Sequence, residues 1–463
     1  MDIEICRITE TGLYTYIWNL LKNLTELESA PQITLFLHGY AGMEEPAPVR
    51  RIAEHFSSVH LQYVWHDVPS PLFSRPRGSK STRPGSWRKP IDRRALLPLW
   101  RSMMNPKLPG VAQLARVSRM AQRFLGNSAD PTVDVFHHPV GLVFPMQNSA
   151  NVITVSDLIP VHFPHYYSGA VNWFRESFEK AEQMEAVLTY SEYTKYDMAQ
   201  TLGVNTDNVT VVPLAAHEDY RPITDRTEIR GVLQKYDLGD RPYILHIGSL
   251  EPRKNLTRLV EAFHMLKLEE PSLEHQLVLA GNASLMSEPI FEAIQGLKLR
   301  SDVKWLDFVP FGDLPALLNG ADLFVFPSIY EGFGLPPLEA MACGTPVATS
   351  NATSIPEVVS DAGLLFDPYR IKDMAEAMHQ ILTDSDLREL LRQKGLKRAK
   401  TFSWQKTARS TLTAYEEAWA TFRRKGTKNK GQRSMRYETT PNYSQIRSWV
   451  VDQVTKQVNE SSK

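Results

Sequence analysis

Short apolar runs alternate with helical stretches along most of the chain. In the second half the runs are "YILHIG", "QLVLAG", "VKWLDF", "DLFVFPS", "TPVATS" and "GLLFDP", most of them followed by a helical segment. The first half has "ITLFLHG", "VDVFHHP", "NVITVSD", "AVLTYS" and "VTVVPL", with helical stretches between them. Nearly continuous apolar strands that alternate with helices predict parallel sheets covered on both faces. The first block ends near Pro213 and the second begins near Tyr243. The charged, Pro-containing start of "AAHEDYRPITDRTEIRGVLQKYDLGDR" reads as a linker between them. Two doubly wound α/β domains with a cleft between them are therefore expected, and no short-period repeat is seen.

Length agrees, since 463 residues allow two domains that each bury a core. Formal net charge is zero, so no global field points to nucleic acid. Two cysteines, Cys6 and Cys343, are too few for a disulfide framework or a cysteine zinc site and fit a reducing compartment. The start "MDIEICRITE" lacks the features of a signal peptide, and no apolar run reaches the roughly 18–20 residues that span a bilayer. A cytoplasmic protein is expected, with peripheral contact at the inner face of a membrane as an option.

Charge is unevenly spread. From Pro71 to Leu125 there are thirteen Lys/Arg and one acid, Asp92. "FSRPRGSKSTRPGSWRKP" reads as a basic loop, and "ALLPLWRSMM" and "VAQLARVSRMAQRFL" as helices. This insertion is either a solvated surface or a contact for an anionic lipid headgroup or a phosphorylated acceptor. The tail from about Lys425 reads as poorly ordered, apart from a short helix in "SQIRSWVVDQVTKQV".

The candidate chemistry lies at strand ends, where doubly wound sheets bind ligands. After "DLFVFPS" comes "YEGFGLPPLEAMACG", with Glu331 and Glu339 eight positions apart. Pro336 and Pro337 suit the first turn of a helix that Gly344 stops. Gly332 and Gly334 are expected to let backbone N–H groups approach an anion at the helix N-terminus. A carboxylate in such a place fits as an acceptor of ligand hydroxyls, so the pattern implies a ligand with an anionic centre and polyol ends, as in a nucleotide sugar. The alternative is a buried capping network. After "YILHIG", Arg253 and Lys254 precede a helix that Asn255 is expected to cap. Two cations at that position can neutralise a diphosphate leaving group without a metal. Asp384–Asp386 spell the Asp-x-Asp metal motif, but their place before "LRELLRQKGL" reads as a helix cap. No catalytic metal and no cofactor are expected.

"EGFGLPPLE" and "GSLEPRKNL" resemble the Glu-x7-Glu signature and phosphate segment of retaining glycosyltransferases of family 4, and the similarity runs over roughly residues 1–424. That resemblance implies the GT-B fold, two Rossmann-like doubly wound domains facing a central cleft. It places an acceptor-side domain at 1–222, a nucleotide-sugar domain at 223–424 and a charged tail at 425–463. It also implies roles. Glu331 would hold donor-sugar hydroxyls and Glu339 the ribose diol; Arg253 and Lys254 would hold the diphosphate. The backbone of Phe333, Gly334 and Leu335, with Gly248 and Ser249, would line the donor, and Gly12 would approach its phosphates. The chain departs from the family at Ser156-Asp157, where a His-Asp pair is common, and at Ser249, where many relatives have Arg. Asp157 then either faces the acceptor or serves as a structural cap. His138 and His162 are cleft candidates or packed residues. The expected reaction moves a hexose, mannose from GDP-mannose by preference, to a saccharide or lipid-linked saccharide. The alternatives are a sugar-nucleotide epimerase and a non-catalytic binding homologue.

Overall fold

The computed structural model describes residues 12–40, 59–66, 133–139, 148–167, 180–284 and 286–428, together with His55, Arg175 and Phe178. The chain forms two compact units, residues 1–419 and 420–463. The basic insertion and the "SQIRSWVVDQVTKQV" segment lie outside the described residues. The last described helix runs Trp404–Lys428.

Three sheets are seen among the described residues. Strands β1 (Ile33–Tyr40) and β2 (Val59–His66) pair in parallel. Strands β3 (Val135–His138), β4 (Ala150–Thr154), β5 (Ala186–Thr189) and β6 (Val209–Val211) form a parallel sheet in sequential order. The third sheet holds β7 (Tyr243–Ile247), β8 (Gln276–Ala280), β9 (Val303–Trp305), β10 (Leu323–Phe326), β11 (Val347–Ser350) and β12 (Leu364–Phe366). Its order is β12-β11-β10-β7-β8-β9, with every pairing parallel. All six apolar runs of the second half became strands. Strand β2 has no counterpart in the sequence reading; "VHLQYVWH" mixes polar residues and aromatics on a run that pairing with β1 stabilises.

Central strands β8, β10 and β11 are buried at every position, as a sheet covered on both faces requires. Ile244, Leu277, Leu279, Leu323 and Val325 pack under two helices through Leu259, Phe263, Met374 and Met378. Side-chain alternation sends Leu245, Val278 and Phe324 to the opposite, equally buried face. Full burial of one such side chain contributes about 1.5–3 kcal/mol, so this lobe is a stiff platform.

The helices that matter here are, in chain order, α1 (Gly12–Thr25), α2 (Ile159–His162), α3 (Glu192–Leu202), α4 (Arg226–Lys235), α5 (Leu256–Glu269), α6 (Glu288–Gly296), α7 (Leu314–Gly320) and α8 (Leu335–Cys343). Ser191 caps α3 by accepting from the Thr194 N–H, and Gly203 ends it at φ 69°. Asp384 caps the helix Ser385–Ala399 by accepting from the N–H groups of Asp386 and Leu387, as read from the sequence. Asn255 does not act as read. It occupies the position before α5 at φ 59°, and its side chain donates to the Pro327 and Pro368 carbonyls instead of capping. The left-handed backbone turns the amide away from the helix and across to neighbouring loops.

Candidate active site

Strand order reverses between β7 and β10, since the chain runs outward from β7 through β8 and β9, then returns to β10. Sheets of this kind bind ligands at that switch point, beyond the strand carboxyl ends. The loop after β7 carries Arg253 and Lys254, and the loop after β10 carries Glu331. The strand order therefore brings together charges 77 positions apart.

Gly248 ends β7 at φ 152°, where a side chain would be strained and would meet His246 Nε2 at 3.3 Å. A short 3-10 turn, Pro252–Lys254, then aims both cations at the second loop. The two loops are stitched by backbone: Ile329 N–H donates to the Arg253 carbonyl at 3.0 Å. The Arg253 guanidinium donates to the Tyr330 carbonyl at 2.6 Å and pairs with Glu251 at 2.6 Å and Glu331 at 2.8 Å. Lys254 Nζ reaches Glu331 Oε1 at 2.7 Å, and Ser328 Oγ donates to the same oxygen at 2.5 Å. No hydrogen bond among the described residues ends on Oε2, so that oxygen remains an open acceptor.

Electrostatics follow from this geometry. Burial alone would raise the Glu331 carboxyl, but Lys254 and Arg253 outweigh it and pull it down to about 2. Burial lowers the Lys254 ammonium below its usual value, against the attraction of Glu331. Arg253 is held above its normal range because Glu331 and Glu251 overcome its desolvation. Two cations thus face one carboxylate, with a second carboxylate behind.

Helix α8 begins after Gly334, at φ 113°, with Pro336 and Pro337 in its first turn, and stops at Gly344, at φ 82°. These features match the sequence reading. Glu339 lies in its second turn, 8% exposed. Burial pushes its carboxyl up to about 8. In the unfolded chain this acid ionises near 4.5. The folded state therefore retains a proton that the unfolded state has lost between about pH 4.5 and 8, and stability falls as pH rises through that window. Glu339→Gln should accordingly raise the melting temperature of the ligand-free protein at pH 8 and leave it unchanged near pH 4.5. A pair of thermal melts at the two pH values checks this, and equal shifts would remove Glu339 from a buried, protonated state.

The remaining expected residues are dispersed around this centre. Gly12 is the first residue of α1. Ser249 is exposed beside Gly248. Phe333 is buried with its ring 5.8 Å from that of Phe402, so only its backbone faces the loop. Leu335 is half-buried at the start of α8. Asp157 is half-buried; its carboxylate accepts from Ile159 N–H at 2.9 Å and Ser156 Oγ at 3.1 Å. Burial raises its pKa, while Arg253 acts against that rise. Asp157 thus accepts from the first N–H of α2 and neighbours the charged cluster. His138 is a packed core residue, 1% exposed with its ring 4.7 Å from Phe136. The space beside Gly332 is filled by the first lobe's loop: a Cβ there would lie 2.2 Å from the Ser156 carbonyl oxygen and 2.8 Å from Asp157 Cβ.

Sequence reasoning missed the polar residues that hold the Glu331 loop. Ser328, Thr353 and Ser354 bind it through Glu331 Oε1, Glu331 N–H, and the Glu331 and Phe333 carbonyls. Single serines and threonines carry no spacing signal, and only their convergence reveals them. Tyr330, next to Glu331 in sequence, could have been found by adjacency. Among the described residues no group of three or more His, Cys, Asp or Glu is placed to hold a metal ion, and no helix is long and apolar enough to cross a membrane.

The family model "Glycosyl transferases group 1" matches residues 225–398, which include Arg253, Lys254, Glu331 and Glu339. The chain is 35% identical over 285 residues to O-antigen chain mannosyltransferase B of Escherichia coli, covering 61% of this chain and 74% of that protein. It is 33% identical over 271 residues to the serotype-specific mannosyltransferase WbdA of Escherichia coli, but spans only 33% of that longer protein. In fold it resembles HepE of Anabaena, solved with UDP and glucose, at TM-score 0.61 and 17% identity, over 88% of this chain and 96% of that one. With two Rossmann-like lobes, a charged cluster at the switch point and a relative matched over most of its length, the chain belongs to the group 1 glycosyl transferases and is a glycosyltransferase of the GT-B fold.

Proposed function

We propose that this enzyme is a retaining hexosyltransferase that moves mannose from GDP-mannose to a saccharide or lipid-linked saccharide acceptor. The observation that carries the reading is the Glu331–Arg253–Lys254 cluster, two buried cations on one carboxylate with its second oxygen open. The residue ranges 223–424 and 1–222 serve as the donor-side and acceptor-side domains. The diphosphate of the donor meets Lys254 and Arg253, and Glu331 Oε2 accepts hydroxyls of the sugar. Glu339 accepts from the ribose diol. Gly12, Gly248, Ser249 and the backbone of Phe333, Gly334 and Leu335 complete the donor cradle, and Asp157 faces the acceptor.

As the glycosidic bond breaks, negative charge grows on the leaving diphosphate, and preorganised cations stabilise it there more than in the ground state. The acceptor hydroxyl attacks from the leaving-group side, and its proton passes to the departing phosphate. The anomeric configuration is retained with no protein nucleophile. Mannose is favoured because two relatives are named as an O-antigen chain mannosyltransferase and a serotype-specific mannosyltransferase. The basic segment 71–125 is suited to contact with an anionic membrane surface that presents such an acceptor.

The test is nucleotide release from GDP-mannose and from UDP-glucose, each with and without a lipid-linked saccharide extract. Acceptor-dependent release of GDP supports the reading. Release without acceptor points to an epimerase or hydrolase, and a preference for UDP overturns the donor. Glu339→Gln should weaken donor binding by about 1.5–3 kcal/mol with a smaller effect on turnover. An unchanged Kd by calorimetry would exclude Glu339 from the donor site.

A further inference from the structure

Asp197 lies on α3, outside the Glu331 cluster, yet its buried carboxylate (5% exposed) gathers three side chains. Its partners are His162 Nε2 at 2.8 Å, Tyr330 Oη at 2.5 Å and Thr201 Oγ1 at 2.6 Å. Tyr330 Oη also accepts from Leu158 N–H at 3.3 Å, beside Asp157. The phenol ring is caged by His162, Phe163 and Tyr193, with centroids 5.1, 5.9 and 6.0 Å away. The other end of the same residue is equally fixed: the Tyr330 carbonyl accepts from Arg253 at 2.6 Å. The next residue is Glu331. A single residue thus connects a carboxylate of the first lobe to the guanidinium of the second.

We infer that Asp197 is a positioning residue for the transfer site: through Tyr330 it sets the placement of Glu331 and Arg253 relative to the Asp157 loop. The sequence gives no sign of this role, because Asp197 is 133 positions from Tyr330. The geometry distinguishes it from a mere core contact in two ways. The bonds run lobe to lobe, and they end on the residue that joins the two charged groups. With the Tyr330 hydroxyl unanchored, the loop is left to the bonds on its backbone alone: Arg253 and Ser328 Oγ on the Tyr330 carbonyl, Thr353 Oγ1 on the Glu331 N–H and Ser354 Oγ on the Glu331 carbonyl. Misplacement of reacting groups by about 1 Å costs on the order of 10²-fold in rate.

The inference rests on the proposed transfer reaction for its kinetic readout only, so a second readout is independent of substrate. Three variants serve: Tyr330→Phe, which keeps the ring cage but loses the hydroxyl; Asp197→Ala, which loses all three bonds; and Asp197→Asn, which keeps an acceptor oxygen. With GDP-mannose, kcat should fall by up to about 10²-fold in the first two. KM for the donor should change little, because Lys254 and Glu339 remain. Asp197→Asn should recover most of that loss. In ligand-free protein, amide hydrogen exchange over residues 329–334 should rise by about tenfold in Tyr330→Phe, with α5 unchanged. Unchanged exchange in that loop overturns the inference whichever donor the enzyme takes. So does wild-type kcat in folded Tyr330→Phe, even if Asp197→Ala fails to fold. If the wild type turns over neither GDP-mannose nor UDP-glucose, the donor assignment fails, while the exchange result still decides the role of Asp197.

Discussion

Lys254→Ala is expected to fold normally and to lose about 10²–10³-fold in kcat at saturating donor. Lys254 is the cation whose loss the site tolerates structurally. Its Nζ bonds Glu331 Oε1 at 2.7 Å, but that oxygen keeps Arg253 at 2.8 Å and Ser328 at 2.5 Å. No buried charge is therefore orphaned by the substitution. In the proposed reaction the loss falls on turnover, where growing charge on the leaving diphosphate would meet one cation in place of two. Interactions that strengthen in the transition state govern turnover, whereas uniform binding governs KM. Arg253 differs. Its guanidinium, 9% exposed, holds Glu251, Glu331 and the Tyr330 carbonyl together. Arg253→Ala should cost about 3–5 kcal/mol of stability by leaving two carboxylates and a carbonyl without it, so it reads as a folding variant first. Circular dichroism, thermal melts and kcat on both variants separate the two cases. Near wild-type kcat in folded Lys254→Ala would move this lysine out of the chemistry.

Gly332→Ala is the second variant expected to have a large effect, for a steric reason. The added Cβ would lie 2.2 Å from the Ser156 carbonyl oxygen, 2.8 Å from Asp157 Cβ and 3.1 Å from the Ser156 carbonyl carbon. Two of these atoms are backbone, so no flexible side chain can give way. The Gly332 carbonyl is at the same time held by Ser191 Oγ at 2.8 Å and Thr194 Oγ1 at 3.3 Å, at the N-terminus of α3. The loop cannot move without breaking those bonds, and the lobes cannot keep their contact if it stays. Overpacking costs about 1–3 kcal/mol, which the buried sheet of the second lobe can absorb. Turnover should fall by about 10²-fold because Glu331 is the adjacent residue. Nucleotide binding should be weakened much less, since Lys254 and Glu339 lie on the unaffected β7 loop and α8. Calorimetry with GDP and kcat with GDP-mannose test this together. Wild-type turnover in the alanine variant would show that Gly332 and the Ser156–Asp157 loop are not in contact during the reaction.

How much of the site was legible follows from how each residue makes its contacts. Glu331 and Glu339 stood out because prolines, glycines and carboxylates at fixed spacing leave few other readings. Arg253 and Lys254 stood out because a strand, a glycine and a helix start bracket them. Asn255 misled because an asparagine before a helix usually caps it, and the left-handed backbone here directs its amide to Pro327 and Pro368.

Local and periodic features were legible from residue order alone: the apolar strands, the start and stop of α8, the Asp384 cap, the two charged loops and their positions at strand ends. Each is set by neighbours a few residues away, through backbone geometry and burial period. Only the tertiary structure decided which distant groups meet. The order β12-β11-β10-β7-β8-β9 placed Lys254 against Glu331, the packing of the two lobes put Ser156 in the space at Gly332, and Asp197 reached Tyr330. The physical reason is that a hydrogen bond or ion pair across 77 or 133 positions leaves no mark on local composition. It arises from the strand order and the lobe contact, which the whole buried core fixes at once.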